Sequence, residues 1–146
     1  MELGSRCLVS VDPCVPDADV PVVQLTVDLT QPAAAHSTLG QKLARLRDEG
    51  ILVMGSGNVV HNLATMRVEE NVPPFDWAAR FNFNARVRES IERADHPSLV
   101  NYLQWGNDAE QAVPTPEHFL PLLYIIGQKS DDEGRRLPSM ALSSDR

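Results

Sequence analysis

The chain has 146 residues, a formal net charge of −7 and 42% hydrophobic residues. That length suffices for one domain with a buried core, and the acidic balance argues against a nucleic-acid partner, which would call for a basic face. No run approaches the roughly 20 apolar residues needed to span a bilayer, and the start Met1-Glu2-Leu3-Gly4-Ser5-Arg6 has no apolar stretch behind it, so a soluble cytoplasmic chain without a membrane partner is expected.

In chain order, Cys7 to Val11 reads as a short strand, and Cys7 and Cys14 read as plain thiols. Pro13, Pro16 and Asp17-Ala18-Asp19 make a loop. Val20 to Val27 is β-rich and mostly apolar, the pattern of a strand covered on both faces. Asp28 to Ala34 turns into a helix, with Thr30 as N-cap and Pro32 in the first turn. Leu39, Leu43 and Leu46 give that helix one apolar stripe up to about Glu49, and Gly50 ends it. Ile51-Leu52-Val53-Met54 is a second buried strand, followed by Gly55-Ser56-Gly57-Asn58 and then His61. A strand–helix–strand unit with short connections implies parallel strands and a right-handed crossover.

A loop from Ala64 to Pro74 leads to Asp76, which caps a helix over Trp77–Ala94. Its expected apolar face is Ala78, Phe81, Ala85, Val87 and Ile91, with Phe83 out of phase. Short helices follow at Ser98–Trp105 and Asp108–Ala112. Thr115 and Pro116 open a last helix, apolar nearly all round from Phe119 to Ile126 and closed by Gly127. From Gln128 to Arg146 the composition is that of a loosely held tail. The expected fold class is α/β: one domain over 1–146, with a central, largely parallel sheet flanked by helices.

The chemistry-bearing candidates are His61, just past the glycine turn, and His118, at the start of the buried helix. Imidazole serves metal ligation and proton transfer near neutral pH. A zinc or non-haem iron site wants at least three protein ligands, and Glu117, adjacent to His118, is a candidate ligand or partner. The alternative for each histidine is a hydrogen-bonded residue at an element end. His36 reads as exposed or half-buried on the first helix, and His96 as a turn residue. The glycine turn also admits an anion-cradle reading, but it lacks both the dinucleotide fingerprint and the P-loop Gly-Lys-Ser/Thr.

The segments PDADVPVVQLTVD, TQPAA, GSGNVVHNL, PFDWAARFN and PTPEHFLPLLYIIG occur in that order between about Pro16 and Gly127. Together they resemble the class III extradiol ring-cleavage dioxygenases, in the 4,5-DOPA dioxygenase-like branch. The chain is similar to the C-terminal part of such an enzyme, so the sheet is expected to be incomplete relative to the family fold. The resemblance implies oxidative opening of a catechol, DOPA-like, by O2 at a single divalent metal, Fe2+ or Zn2+. By resemblance His61 is the catalytic acid and base and lines the metal pocket, and His118 lies at the same metal. In the family two further metal histidines lie in the N-terminal portion. A second reading is an inactive remnant or interaction domain that pairs with itself or with a complementing chain. A phosphate- or nucleotide-binding domain is a third, resting on the glycine turn alone.

Overall fold

The computed structural model describes residues 20–62 and 77–129, the latter with side chains from Asn82 onward. The expected strand at 7–11, both cysteines, the loop at 64–74, the Asp76 cap, the side chains of Ala78 and Phe81, and the tail from Ser130 lie outside the described residues. Among the described residues no strand ladder is assigned, and residues 21–28 and 51–58 lie outside any helix or turn. No helix among them is long and apolar enough to cross a membrane.

Helix α1 spans Ala33–Leu43 and tightens into a 3-10 turn over Ala44–Arg47. Thr30 does not cap it. Its amide and hydroxyl both donate to Asp28 Oδ1, at 3.0 and 2.6 Å, closing an Asx-type turn one step earlier. Pro32, at φ −69° and ψ 157°, then occupies the N-cap position without a side-chain bond. The far end is a Schellman arrangement. Gly50 takes φ +77°, its N–H reaches the Arg47 carbonyl, and Ile51 N–H reaches the Leu46 carbonyl.

Helix α2 spans Trp77–Glu92. Its buried face is Phe83, Val87 and Ile91, at steps of four, whereas Ala85 is exposed. Val87 and Ile91 lie on the expected face, Ala85 does not, and Phe83, which blurred the period, anchors the core. Its ring centroid lies 5.3 Å from Trp105, 5.8 Å from Phe119 and 6.3 Å from Tyr102, and Tyr102 lies 4.4 Å from Phe119. Arg86 lies over the outer Trp105 ring, 4.5 Å from its centroid.

Ala94 takes φ 55° and ends the helical run. Asp95 then caps α3, His96–Val100, by accepting from the Ser98 amide at 3.1 Å and hydroxyl at 2.6 Å. The span expected as one helix to Trp105 is thus α3 followed by a 3-10 turn over Tyr102–Trp105, stopped by Gly106 at φ +70°. Helix α4 covers Asn107–Ala112, and a 3-10 turn over Pro116–His118 leads into α5, Leu120–Gly127. As expected, α5 is buried, with Phe119, Leu120, Leu123, Tyr124 and Ile126 in the core. Gln128, assigned to the tail, is buried and continues the helix end, its side-chain amide donating to the Tyr124 carbonyl.

Helices α1 and α5 meet backbone to backbone. A Cβ on Gly40 would strike the Tyr124 carbonyl, and one on Gly127 would strike the Ser37 carbonyl. Beside this crossing His36, only 2% exposed, pairs its Nδ1 with the Tyr124 hydroxyl at 2.9 Å. His36 is therefore an interior residue clamping α1 to α5, not a surface one. In an open helix Gly→Ala gains about 1 kcal/mol. Here the carbonyl of a packed helix has no room to yield, and overpacking costs about 1–3 kcal/mol. Gly40→Ala is expected to lower the urea midpoint; an unchanged or raised midpoint would refute the close crossing.

Candidate metal centre

The segment after the second apolar run reaches its place by docking its backbone on the α4–α5 region. Asn58 N–H donates to the His118 carbonyl at 3.0 Å, and His61 N–H donates to the Ala112 carbonyl at 2.7 Å. The Asn62 side chain adds a bond to the Gln111 carbonyl at 2.8 Å. This explains the two glycines. A Cβ on Gly57 would run into the His118 carbonyl, and one on Gly55 would lie 2.9 Å from the Pro121 carbonyl and 2.8 Å from Ile125 Cγ1. Neither glycine has a positive φ. They are needed for close approach, not for a left-handed turn.

The anion-cradle reading does not fit this arrangement. Asn58 N–H is engaged by His118, and the glycine backbone is pressed against Pro121 and His118 rather than facing a ligand.

Docking brings His61 and His118 together, as the sequence reading paired them. Their rings stack with centroids 3.6 Å apart and planes inclined by 24°. Glu117 joins them. One donor atom from each of His61, Glu117 and His118 lies within 4.8 Å of the others, and all three residues are half-buried. The carboxylate is oriented by Thr115, whose hydroxyl donates to Oε1 at 2.7 Å. That bond comes first among the causes that hold the Glu117 carboxyl below its ordinary range, followed by a backbone N–H and the nearby His118 and His61. The group is therefore anionic at neutral pH, the form a cation needs. Thr115 thus orients a carboxylate where the sequence suggested a helix cap.

Two imidazoles and one carboxylate match the donor set of a non-haem Fe2+ site and of a three-ligand zinc site with an open position. Donors of a tetrahedral zinc shell sit roughly 3.4 Å apart for bonds of about 2.1 Å. The three donors lie within 4.8 Å of one another, near that spacing. The residues fit a divalent metal.

Of the sequence candidates, the structure joins His61 and His118 and leaves His36 and His96 elsewhere in the fold. Glu117 was visible in the sequence only as a neighbour of His118. The residue pattern Thr-x-Glu was the available signal, because a hydroxyl two residues away can fix a carboxylate.

No protein-family model matches the chain. It is 46% identical over 127 residues to the 4,5-DOPA dioxygenase extradiol of Escherichia coli K12, covering 84% of this chain and 45% of that protein. It is 36% identical to the protein of the same name from Portulaca grandiflora, over 77% of this chain and 41% of the relative, and 33% identical to that of Beta vulgaris, over 84% and 44%. A crystal structure of an uncharacterised Escherichia coli K12 protein superposes with a TM-score of 0.71 at 44% identity, over 81% of this chain and 48% of that one. The chain thus spans a little under half the length of the relatives it matches. Over that length the chain is recognised by similarity as a partial match to the extradiol dioxygenases named 4,5-DOPA dioxygenase.

Proposed function

We propose that this chain supplies the His61, Glu117 and His118 side of an extradiol dioxygenase centre that opens a catechol ring, DOPA-like, with O2. The observation that carries this reading is the convergence of two imidazoles and an anionic carboxylate on one point. The names of the relatives supply the reaction class.

His118 and Glu117 would hold a catalytic Fe2+ and leave His61 free as the acid and base, whereas a bound Zn2+ would take His61 as a third ligand. A bound divalent ion, Fe2+ or Zn2+, supplies Lewis acidity toward paired hydroxyls and, for iron, electron transfer between catechol and O2. His61 takes the proton from a catechol hydroxyl oxygen onto an imidazole nitrogen and returns it as the ring opens. His118, stacked at 3.6 Å, limits the ring orientations open to His61. Thr115 keeps the Glu117 carboxylate aimed at the cation.

We also propose that 20–27 and 51–54 are neighbouring parallel strands of an α/β sheet, joined through α1. Their β-rich sequences and the Schellman stop at Gly50, directly before Ile51, support this.

The direct test is to load the purified chain with Fe2+ without oxygen, add a catechol such as DOPA, then admit air. A yellow ring-opened product is expected once the polypeptide that supplies the rest of the centre is present, and an iron-loaded pair that leaves catechol intact would refute the assignment. His61→Ala should lower turnover by about 100-fold or more while retaining metal; undiminished turnover would remove it from the proton-transfer role. Gly57→Ala leaves all three donors in place but pushes the segment off His118. It should weaken Zn2+ binding by roughly 10–100-fold in a calorimetric titration, and unchanged affinity would show that the docking does not set the site.

A further inference from the structure

The last turns of α2 and the start of α3 line a polar groove of about 180 Å3. None of its lining residues belongs to the His61, Glu117 and His118 cluster. Its volume is below the roughly 300 Å3 at which drug-sized ligands begin, so it suits a small organic ion. Arg86, Glu89, Ser90 and Arg93 recur at helical spacing and share one face of α2. Ala94, at φ 55°, then turns the chain so that Asp95 and Ser98 complete the lining.

These groups differ in how far they are already paired. The Ser98 hydroxyl and then its amide hold the Asp95 carboxyl below the ordinary range, so Asp95 is anionic at neutral pH. Glu89 takes Arg93 at 2.7 Å. Arg86 has no carboxylate partner among the described residues. Its guanidinium sits 4.5 Å over Trp105, and its fork of N–H donors matches a carboxylate.

Ser90 decides the reading. It is only 9% exposed, yet its hydroxyl makes no hydrogen bond among the described residues. A helical hydroxyl can bond back to the carbonyl four residues earlier, as Thr38 does to Ala34 at 2.9 Å. Ser90 does not do so, and it borders the groove. Enclosed hydroxyls are ordinarily paired, so this one is set toward something else. An ordinary solvated helix face has no need of such a group.

The unpaired donors of Arg86 and Ser90 thus stand beside two carboxylates. A multiply charged anion would be repelled by Glu89 and Asp95, and a simple cation by Arg86. A molecule that carries both charges satisfies both sets. We propose that this groove binds a small zwitterion of the α-amino-acid class, its carboxylate on Arg86 and the Ser90 hydroxyl and its ammonium toward Asp95 and Glu89. The proposal does not rest on the metal reading.

The test is a 15N NMR titration of the full, metal-free chain with glycine, and separately with acetate and with methylammonium. Glycine should move the Trp105 indole N–H and the Ser90 and Ser98 amides together and saturably. Acetate and methylammonium should each bind at least about tenfold more weakly, since each leaves charged groups of the groove unpaired. Arg86→Gln should weaken glycine binding at least about tenfold and Ser90→Ala about threefold or more. Lys42→Gln, on α1, should leave it unchanged. Matching circular dichroism melts would establish that the variants fold, and Ser90→Ala should not lower the melt, because it removes an unpaired hydroxyl. No saturable shift at these residues up to about 50 mM glycine would overturn the proposal. Acetate binding as tightly as glycine would also overturn it, by leaving a plain anion site. Undiminished affinity in Arg86→Gln would do so too, as would a melt lowered by Ser90→Ala, which would give that hydroxyl a structural bond instead.

Discussion

The candidate centre depends on one close approach, that of the Gly57 backbone to the carbonyl of His118. The bond from Asn58 N–H to that carbonyl, at 3.0 Å, requires that nothing stand between the two backbones. Any side chain at position 57 would occupy the place of the oxygen. The pairing fixes register as well as distance. Once Asn58 is fixed, His61 N–H falls on Ala112 and Asn62 on Gln111, and the His61 ring has little choice but to face His118. Two residues far apart in sequence become neighbours through backbone contact rather than through side-chain attraction.

The surrounding core serves this contact. Leu120, Leu123 and Ile126 are buried, which holds the start of α5, and with it Glu117 and His118, against the aromatic group of Phe83, Tyr102 and Phe119. From the other side α1 is held on α5 through Gly40 and Gly127, with the His36–Tyr124 bond beside them. The same device therefore acts twice on α5: glycine backbone against carbonyl, at both ends of the helix. Packing at this density transmits small changes, which makes both glycine contacts sensitive to a single methyl group.

Much of this was legible in the residues. The continuous apolar run from Phe119 to Ile126 could only be a buried helix, and Gly50 marked the stop of α1 because the left-handed conformation closes a Schellman pair there. His61 and His118 stood at element ends, where a side chain is fixed yet reachable. The helix from Trp77 was legible, and so were Val87 and Ile91 on its buried face, but the choice of Phe83 over Ala85 was made by the aromatic partners Tyr102, Trp105 and Phe119. Thr30 and Thr115 looked like caps, but each donates to a carboxylate two residues away, a local competition that sequence pattern does not resolve. The glycines at 55 and 57 were visible as glycines; their reason was not, since it lies in a carbonyl some sixty residues on.

The chain thus joins two unlike surfaces. One is a half-buried polar cluster in which an anionic carboxylate stands beside two imidazoles. The other is an exposed apolar face on the segments flanking α1. The 51–62 stretch carries both, from Ile51 and Leu52 on the apolar face to His61 in the cluster. The most direct measurement on the centre itself is the anomalous difference map, at the zinc edge, of crystals of the chain grown with Zn2+. The expected result is one peak with imidazole nitrogens of His61 and His118 and a carboxylate oxygen of Glu117 at about 2.0–2.2 Å. A peak held by other residues, or a zinc-saturated crystal with none between these three, would contradict the assignment.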